Sequence, residues 1–468
     1  VIVPSNCMIA KTFWVFAGLN LVPIALQAQT IWLPGSDPVN IARSGVGVAF
    51  GRSLEACSLN PALLVTIRSP RSAYLSAGME MQSTQLTLPS NERVLFSGDR
   101  NRFISALGAN WRVTPKLALG LKVDMPFMRH LEVPKESSSR FYGQAMDLGS
   151  LRTEFQAAYA INEAFSAGLS LGMTRLNYAS AVSLRVLVPN DVSSPASANQ
   201  TGANPVEALL EIPVRQSGSV SALSYGVGFR YAYSSRWTFG GSYQSGVKGR
   251  PNFAASLISR DLNPDDIYGI GPNTPPLVGA EQQALELLNN HITANPGAGD
   301  IAMPYKIQIG VRHRYNQLMT WEVDLRYTGA SVMEIPAQPS INTPSGLAST
   351  RETSYNFKDG LAVSGMLDIN LNRNWVARGG FSIDSGLRKN DEVDAMLGGA
   401  KSAGFSIGFG HQIFGGELSV GYQYRQAMDR ETNGLEGTWT LNGLRHTGTL
   451  TRVENMGHLW SFGFKRSF

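Results

Sequence analysis

Short and long connections alternate strictly along this chain, and no other feature restricts its fold as much. Tight turns fall near Thr114-Pro115, Asn162-Glu163, Ser234-Ser235, Asn316-Gln317, Asn372-Arg373 and Gly415-Gly416. Long polar segments lie near 85–101, 128–147, 189–217, 251–302, 332–355, 387–401 and 431–453. Six short and seven long connections predict fourteen strands. A soluble β-protein has no reason to sort its loops by length. A barrel in an outer membrane does, with short turns on the periplasmic rim and long loops outside.

Period-2 alternation within the segments between these connections supports the same reading. In 223–233, Leu223, Tyr225, Val227, Phe229 and Tyr231 share one face, and Ser224, Gly226, Gly228 and Arg230 take the other. Comparable alternation runs through 303–315, 361–371 and 460–468. A soluble sandwich also alternates, but its apolar face is enclosed by a second sheet. Here the polar face is rich in Gly, Ser and charge, as a wet lumen requires, and the apolar face suits lipid. Charged residues make up only 16% of the chain, against about 25% in soluble domains. No segment beyond the N-terminus offers the ~18 consecutive apolar residues of a membrane helix, which excludes a helical transporter. Trp111, Trp237, Trp321 and Trp375 all sit beside short turns on the lipid-facing parity, where amphipathic rings prefer the interface. The expected fold is all-β: a transmembrane antiparallel β-barrel of about fourteen strands.

The N-terminus supplies the compartment. Met8-Ile9-Ala10-Lys11 precedes an apolar run from Thr12 to Leu26 that ends near Ala28-Gln29, the pattern of a secretory signal. We therefore expect residues 1–28 to be a signal with an upstream extension, 29–70 an N-terminal unit, and 71–468 the barrel. Cys57 is then the one cysteine of the mature chain, so no internal disulfide forms. Residues 29–64 do not alternate. They carry Gly45, Gly47 and Gly51 without the G-x-G-x-x-G spacing of a dinucleotide site, and no strand precedes them. Small residues at this density pack closely in a confined space. About 35 compact residues fit a fourteen-stranded lumen, so an internal plug is expected rather than a periplasmic tail.

Three stretches carry a family resemblance. The small-residue segment ending in Asn60-Pro61-Ala62 resembles the hatch of FadL-type outer-membrane transporters of long-chain fatty acids and other hydrophobic compounds. Thr114 to Leu121, followed by Met125-Pro126-Phe127, is similar to that family's second turn and third strand. Phe357-Lys358-Asp359-Gly360 and Arg378 to Ser385 are similar to its tenth and eleventh strands. The resemblance implies capture of ligand at the outer loops and passage to a pocket above the plug. It also implies release by a plug shift or through a gap beside the third strand. On this basis Asn60, Pro61, Ala62 and Pro126 are the expected gating residues.

The residues themselves indicate the remaining chemistry. Strand parity places eleven cations and seven anions in the lumen. That excess suits a carboxylate headgroup through charge-assisted hydrogen bonds, with Arg230, Lys306 and Arg378 as candidates. The same charges could instead pair with one another and with the plug. In the long loop 251–302, Ala280, Ala284, Leu287 and Leu288 fall on one face of a short helix. Leu287 and Leu288 would either capture an apolar ligand or pack that helix as a lid. The six histidines show no metal-ligand spacing and no P-loop is present, so neither an enzyme, a metal nor a cofactor is expected. Basic residues are scattered singly despite a net charge of +5, which disfavours nucleic acid.

The reading is passive uptake of hydrophobic molecules, most of all long-chain fatty acids, by an integral barrel in a bacterial outer membrane. Its partners would be the hydrophobic cargo and outer-membrane lipid, and nothing demands more than a monomer. The alternative is a diffusion porin for small polar solutes, with the N-terminal segment outside the lumen.

Overall fold

The computed structural model describes residues 33, 35–50, 54–87, 93–97, 102–132, 144–188, 208–258, 267–269, 280–343, 346–348, 357–387, 393–394, 401–427, 438–441, 444–447 and 452–468. The expected signal at 1–28 lies outside them. Fourteen antiparallel strands close on themselves. The first seven are β1 (Arg71–Thr87), β2 (Arg102–Arg112), β3 (Leu117–Asp124, resuming as Met128–Glu132), β4 (Ala145–Ala160), β5 (Phe165–Val188), β6 (Ala208–Ala232) and β7 (Trp237–Gln244). The second seven are β8 (Tyr305–Arg314), β9 (Met319–Gly329), β10 (Gly360–Asn370), β11 (Trp375–Asp384), β12 (Ser402–Ile413), β13 (Gly416–Ala427) and β14 (Arg452–Ser467). Each pairs with its neighbour in sequence, and β14 returns to β1 from Ser72↔Ser467 to Thr87↔Arg452. Pairing of the last strand with the first closes the sheet, the condition for β structure in a bilayer.

The expected parity holds on both faces. Phe103, Phe155 and Phe462 are at least 60% exposed on the outer surface, while Glu154, Thr174, Glu322 and Gln423 are wholly buried inside. Large apolar side chains at that exposure are at home in lipid rather than water. Trp237 and Trp321 pack around His313, and Trp375 stacks on His411, giving aromatic pairs at the level of the short turns.

The structure departs from the expected loop boundaries at β5 and β6. The sequence places a long polar segment near 189–217, whereas strand pairing runs to Val188↔Ala208 and takes in its final part. These strands have 24 and 25 residues, where about 9–11 cross a membrane. Val182, Leu184, Val186, Leu210, Ile212 and Val214 form an inward apolar seam, so burial sustains the ladder beyond the membrane. The helix Ala280–Asn290 caps that seam.

Among the described residues, the wall is interrupted within β3. β3 pairs with β4 as far as Asp124↔Arg152 and resumes at Met128↔Gly149. Three residues, Met125 to Phe127, therefore face two, which is a β-bulge. Pro126 cannot donate to a ladder. Ser150 bridges the break from β4, its Oγ accepting from the Phe127 N–H at 2.8 Å and donating to the Phe127 carbonyl at 2.9 Å. On the other side, the β2–β3 ladder stops at Leu107↔Val123. Among the described residues, Arg102–Ala106 have no ladder partner on β3.

Candidate transport path

Residues 35–50 and 54–67 pack against lumen-facing side chains on opposite walls. A one-turn helix, Pro38–Ala42, lies against β11 to β14, and a 3-10 helix, Pro61–Thr66, lies against β3 to β6. Both open with proline at the first turn and a side-chain N-cap, Asp37 in one and Asn60 in the other. Asn60 does more than cap. Its Oδ1 accepts from the Ala62 N–H at 3.0 Å, and its Nδ2 donates to the carbonyls of Val48 (2.7 Å) and Phe229 (2.9 Å). The Asn-Pro-Ala segment thus ties the N-terminal unit to the backbone of β6.

Glycines on the inner wall permit that contact. A Cβ at Gly228 would strike the Asn60 carboxamide, and one at Gly240 the Val48 carbonyl. Across the lumen, a Cβ at Gly408 would meet Ala42 and one at Gly421 the Pro38 carbonyl. The wall is smooth where the segment touches it because these positions carry no side chain.

Carboxylates complete the attachment. On β9, Asp324 accepts from the N–H groups of Gly47 (3.0 Å) and Val48 (3.4 Å), and Glu322 from that of Ala49 (2.7 Å). Arg43 forks onto Asp368 of β10, its Nε donating at 3.1 Å. Ser44 meets Ser406 of β12 at 2.8 Å and accepts from Gln423 of β13 at 3.1 Å. Sequence reasoning missed the Glu322 and Asp324 grip. Two inward carboxylates two residues apart signalled it, but their partners are backbone amides that no periodicity reveals.

Asp37 is the titratable group that matters within this segment. Its carboxyl is 1% exposed, and burial, aided by nearby Glu55, raises its pKa from 3.8 to about 7. The docked segment therefore binds a proton that the undocked one lacks between those values. Docking is strongest below about pH 4 and weakens as pH rises through 7. Asp37→Asn keeps a side-chain oxygen for the cap and should flatten that slope. Hydrogen exchange in residues 38–49, corrected for intrinsic pH dependence, reads it; an unchanged slope would assign the effect to another group.

Above the segment lies a layer of paired charge. Lys122 meets Glu154 at 2.9 Å, Arg152 forks onto Asp124 at 2.8 and 2.6 Å, and Arg326 reaches Asp384 at 3.2 Å. Higher still, the inward face turns apolar. Phe127, Leu131, Met146, Leu148, Leu176 and Tyr178 come from β3 to β5, and Ile301, Met303, Met333 and Leu387 fold in from the long loops. The strand members could have been found from parity. The loop members follow no period.

The sequence-derived residues are not brought to one place. Pro126 sits at the wall break, where its carbonyl accepts from the Leu33 N–H at 3.1 Å. Met125 exchanges hydrogen bonds with Ser36 Oγ, both at 3.1 Å, so the start of the N-terminal segment lies along the interruption. Lys306 is half-buried at the outer end of β8, with Arg326, Arg152, Lys122 and Asp124 as its electrostatic neighbours. Arg230 lies at the opposite end, lining a cavity beside the short turns. Arg378 is held by Glu417 at 2.5 Å. Leu287 and Leu288 are buried, with Ala284, against the seam of β5 and β6. That helix face is covered by residues of β5 and β6.

Comparison with known proteins gives a consistent picture. The family model described as outer membrane protein transport protein (OMPP1/FadL/TodX) matches residues 38–468. The fold resembles the crystal structure of a Pseudomonas aeruginosa FadL homologue, at TM-score 0.68 and 12% identity, covering 94% of this chain and 100% of that one. It also resembles the P. putida toluene transporter TodX, at TM-score 0.61 and 13% identity, with coverages of 93% and 99%. The Ralstonia pickettii toluene transporter TbuX aligns at TM-score 0.58 and 15% identity, with the same coverages. No curated protein sequence is similar enough to match.

Proposed function

The chain belongs to the outer-membrane transport family OMPP1/FadL/TodX, whose members are transporters of hydrophobic compounds rather than enzymes, and from that premise we propose that its cargo is a long-chain fatty acid. The observation that carries this reading is the inward apolar layer lying directly above a charged one. Phe127 belongs to that layer and is the residue next to Pro126 at the wall break. A pathway for polar solutes has no use for Phe127, Leu131, Met146, Leu148, Leu176 and Tyr178 as buried, inward-facing side chains. Lys306, close to Arg326 and Arg152, offers a carboxylate charge-assisted hydrogen bonds while the tail remains among apolar side chains.

In this reading residues 29–70 act as a plug. Asn60, Pro61 and Ala62 set its closed position, and the cargo leaves by a plug shift or sideways through the interruption beside Pro126. Transport is passive, because the gradient and later consumption of the cargo supply the drive. Leu287 and Leu288 stabilise the outer extension of β5 and β6, whose rim is the first surface the cargo meets.

Equilibrium binding of a fluorescent long-chain fatty acid to the purified, delipidated barrel tests the cargo. Saturable binding displaced by oleate but not by a simple sugar is expected, with toluene at least about tenfold weaker, as the loss of one charge-assisted contact implies. Displacement by toluene as effective as by oleate would transfer the cargo to neutral hydrocarbons.

A further inference from the structure

Two arginines face outward at the short-turn end of the barrel, on either side of the seam where the last strand meets the first. On β1, Ser72 and Tyr74 are buried on the inner face, whereas Arg71, Ala73 and Leu75 are exposed on the outer one. On β14, Ser461 is buried inside, and Phe462, Phe464, Arg466 and Phe468 are exposed outside. Arg466 pairs across the seam with Ala73, and Arg71 lies two residues nearer the rim. Such diagonal neighbours stand about 7–8 Å apart, so two long side chains reach a common point between them.

The surface around them has the shape of a headgroup site. At the level of Arg466, the outward residues of four adjacent strands are Gly416 on β13, Arg466 itself, Ala73 on β1 and Ala109 on β2. Three of these four carry at most a methyl group, so the wall dips there and leaves the guanidinium unscreened. Aromatic rings border the dip. Trp111 pairs directly with Arg71, and the Arg466 guanidinium lies 5.2 Å from the centre of the Phe468 ring. Above the dip, Leu75 and Phe462 open the lipid-facing band, at 64% and 60% exposure.

Protein anions do not claim this charge. Among the described residues, neither Arg71 nor Arg466 has a carboxylate within ion-pair distance. Glu417, on the neighbouring strand, points inward and is taken by Arg378 (2.5 Å) and Lys465 (3.2 Å). An arginine at the edge of the hydrocarbon lays its stem along apolar surface and holds its head among the lipid headgroups. Its fork matches phosphate oxygens through paired charge-assisted hydrogen bonds. Two such cations side by side also repel the ammonium of a zwitterionic headgroup.

We propose that Arg71 and Arg466 bind the phosphodiester of an anionic phospholipid, phosphatidylglycerol in chemistry, from the periplasmic leaflet. Its acyl chains lie along Leu75, Phe464 and Phe462, and a phosphate shared by both arginines bridges the closing seam. The site faces the bilayer and not the lumen, so it is independent of the cargo.

Fluorescence quenching on the full barrel in phosphatidylcholine vesicles tests this. Phosphatidylglycerol or phosphatidylcholine, brominated near the top of the acyl chains, is titrated in. Subtracting the signal of Trp111→Phe isolates Trp111. Brominated phosphatidylglycerol should half-quench it at about a fivefold lower mole fraction at low salt, the factor one interfacial arginine implies. That advantage should fall away near 1 M salt, where the Debye length is ~3 Å. It should also vanish in Arg71→Gln/Arg466→Gln, which alters two exposed side chains and no ion pair.

Equal half-quenching by the two lipids in the native barrel overturns the proposal, whether or not the variant folds. An advantage that survives in a variant shown to be folded by heat-modifiable migration also overturns it, and assigns the enrichment to the net charge of the barrel. So does an advantage indifferent to salt. Abolition of the advantage by inorganic phosphate, at constant ionic strength, reassigns the arginines to a free anion and overturns the lipid.

Discussion

A Gly228→Leu barrel will conduct ions in a planar bilayer, whereas the native barrel will be nearly silent. Gly228 faces the lumen where a Cβ would already strike the Asn60 carboxamide. A leucine there leaves no room for the hydrogen bonds from Asn60 Nδ2 to Val48 and Phe229. Overpacking a tight contact costs about 1–3 kcal/mol, and stranding the buried Asn60 amide adds about 1–3 kcal/mol more. The barrel can avoid both by letting the segment leave the wall. Its own closure does not depend on position 228, because the β5–β6 and β6–β7 ladders use the backbone alone. Conductance should rise at least about tenfold, since a fourteen-stranded lumen is wide once emptied. A variant that folds, shown by heat-modifiable migration, yet remains silent would show that the segment does not close the pore. Gly240→Leu, against the Val48 carbonyl, provides an independent check.

Deletion of Pro126 should abolish fatty-acid uptake while leaving fatty-acid binding in place. The argument rests on register. Three residues at 125–127 face two on β4 between Asp124↔Arg152 and Met128↔Gly149. Removing one restores a two-against-two count and removes the residue that cannot donate, so β3 can run without a break. The parity of Met128–Glu132 is unchanged relative to β4, which keeps Leu131 in the apolar layer. If cargo leaves sideways through the interruption, uptake should fall by more than about tenfold in cells grown on oleate. That loss would be a blocked step with unaltered affinity. Uptake at the native rate would direct release to the plug and leave the bulge as a feature of wall curvature.

The two variants are complementary. Gly228→Leu dislodges the segment and leaves the wall as it is, whereas deletion of Pro126 seals the wall and leaves the segment as it is. Loss of uptake on deletion of Pro126, with uptake retained in Gly228→Leu, identifies the sideways exit; native uptake in the Pro126 deletion directs release to the plug.

The sequence by itself determined the strand number, the inward and outward faces and the compartment. Each depends on a local rule that acts residue by residue: alternation with the pleat, turn chemistry at sites such as Asn316-Gln317, and the sorting of loops by length. The lumen position of Lys306, Arg230 and Arg378 followed from the same parity. Parity fixes a face, however, and not a height along the barrel axis or a partner. Only the tertiary structure could therefore decide that Arg378 belongs to Glu417 and that Arg230 and Lys306 lie at opposite ends of the lumen. Burial of Leu287 and Leu288 against β5 and β6 was equally undetermined, because an amphipathic helix shows that it has an apolar face and not what covers it. The grip of Glu322 and Asp324 on the amides of Gly47 to Ala49 was hidden for the same reason. Closing a barrel joins residues about 270 positions apart, and no short-range period of the chain encodes that pairing.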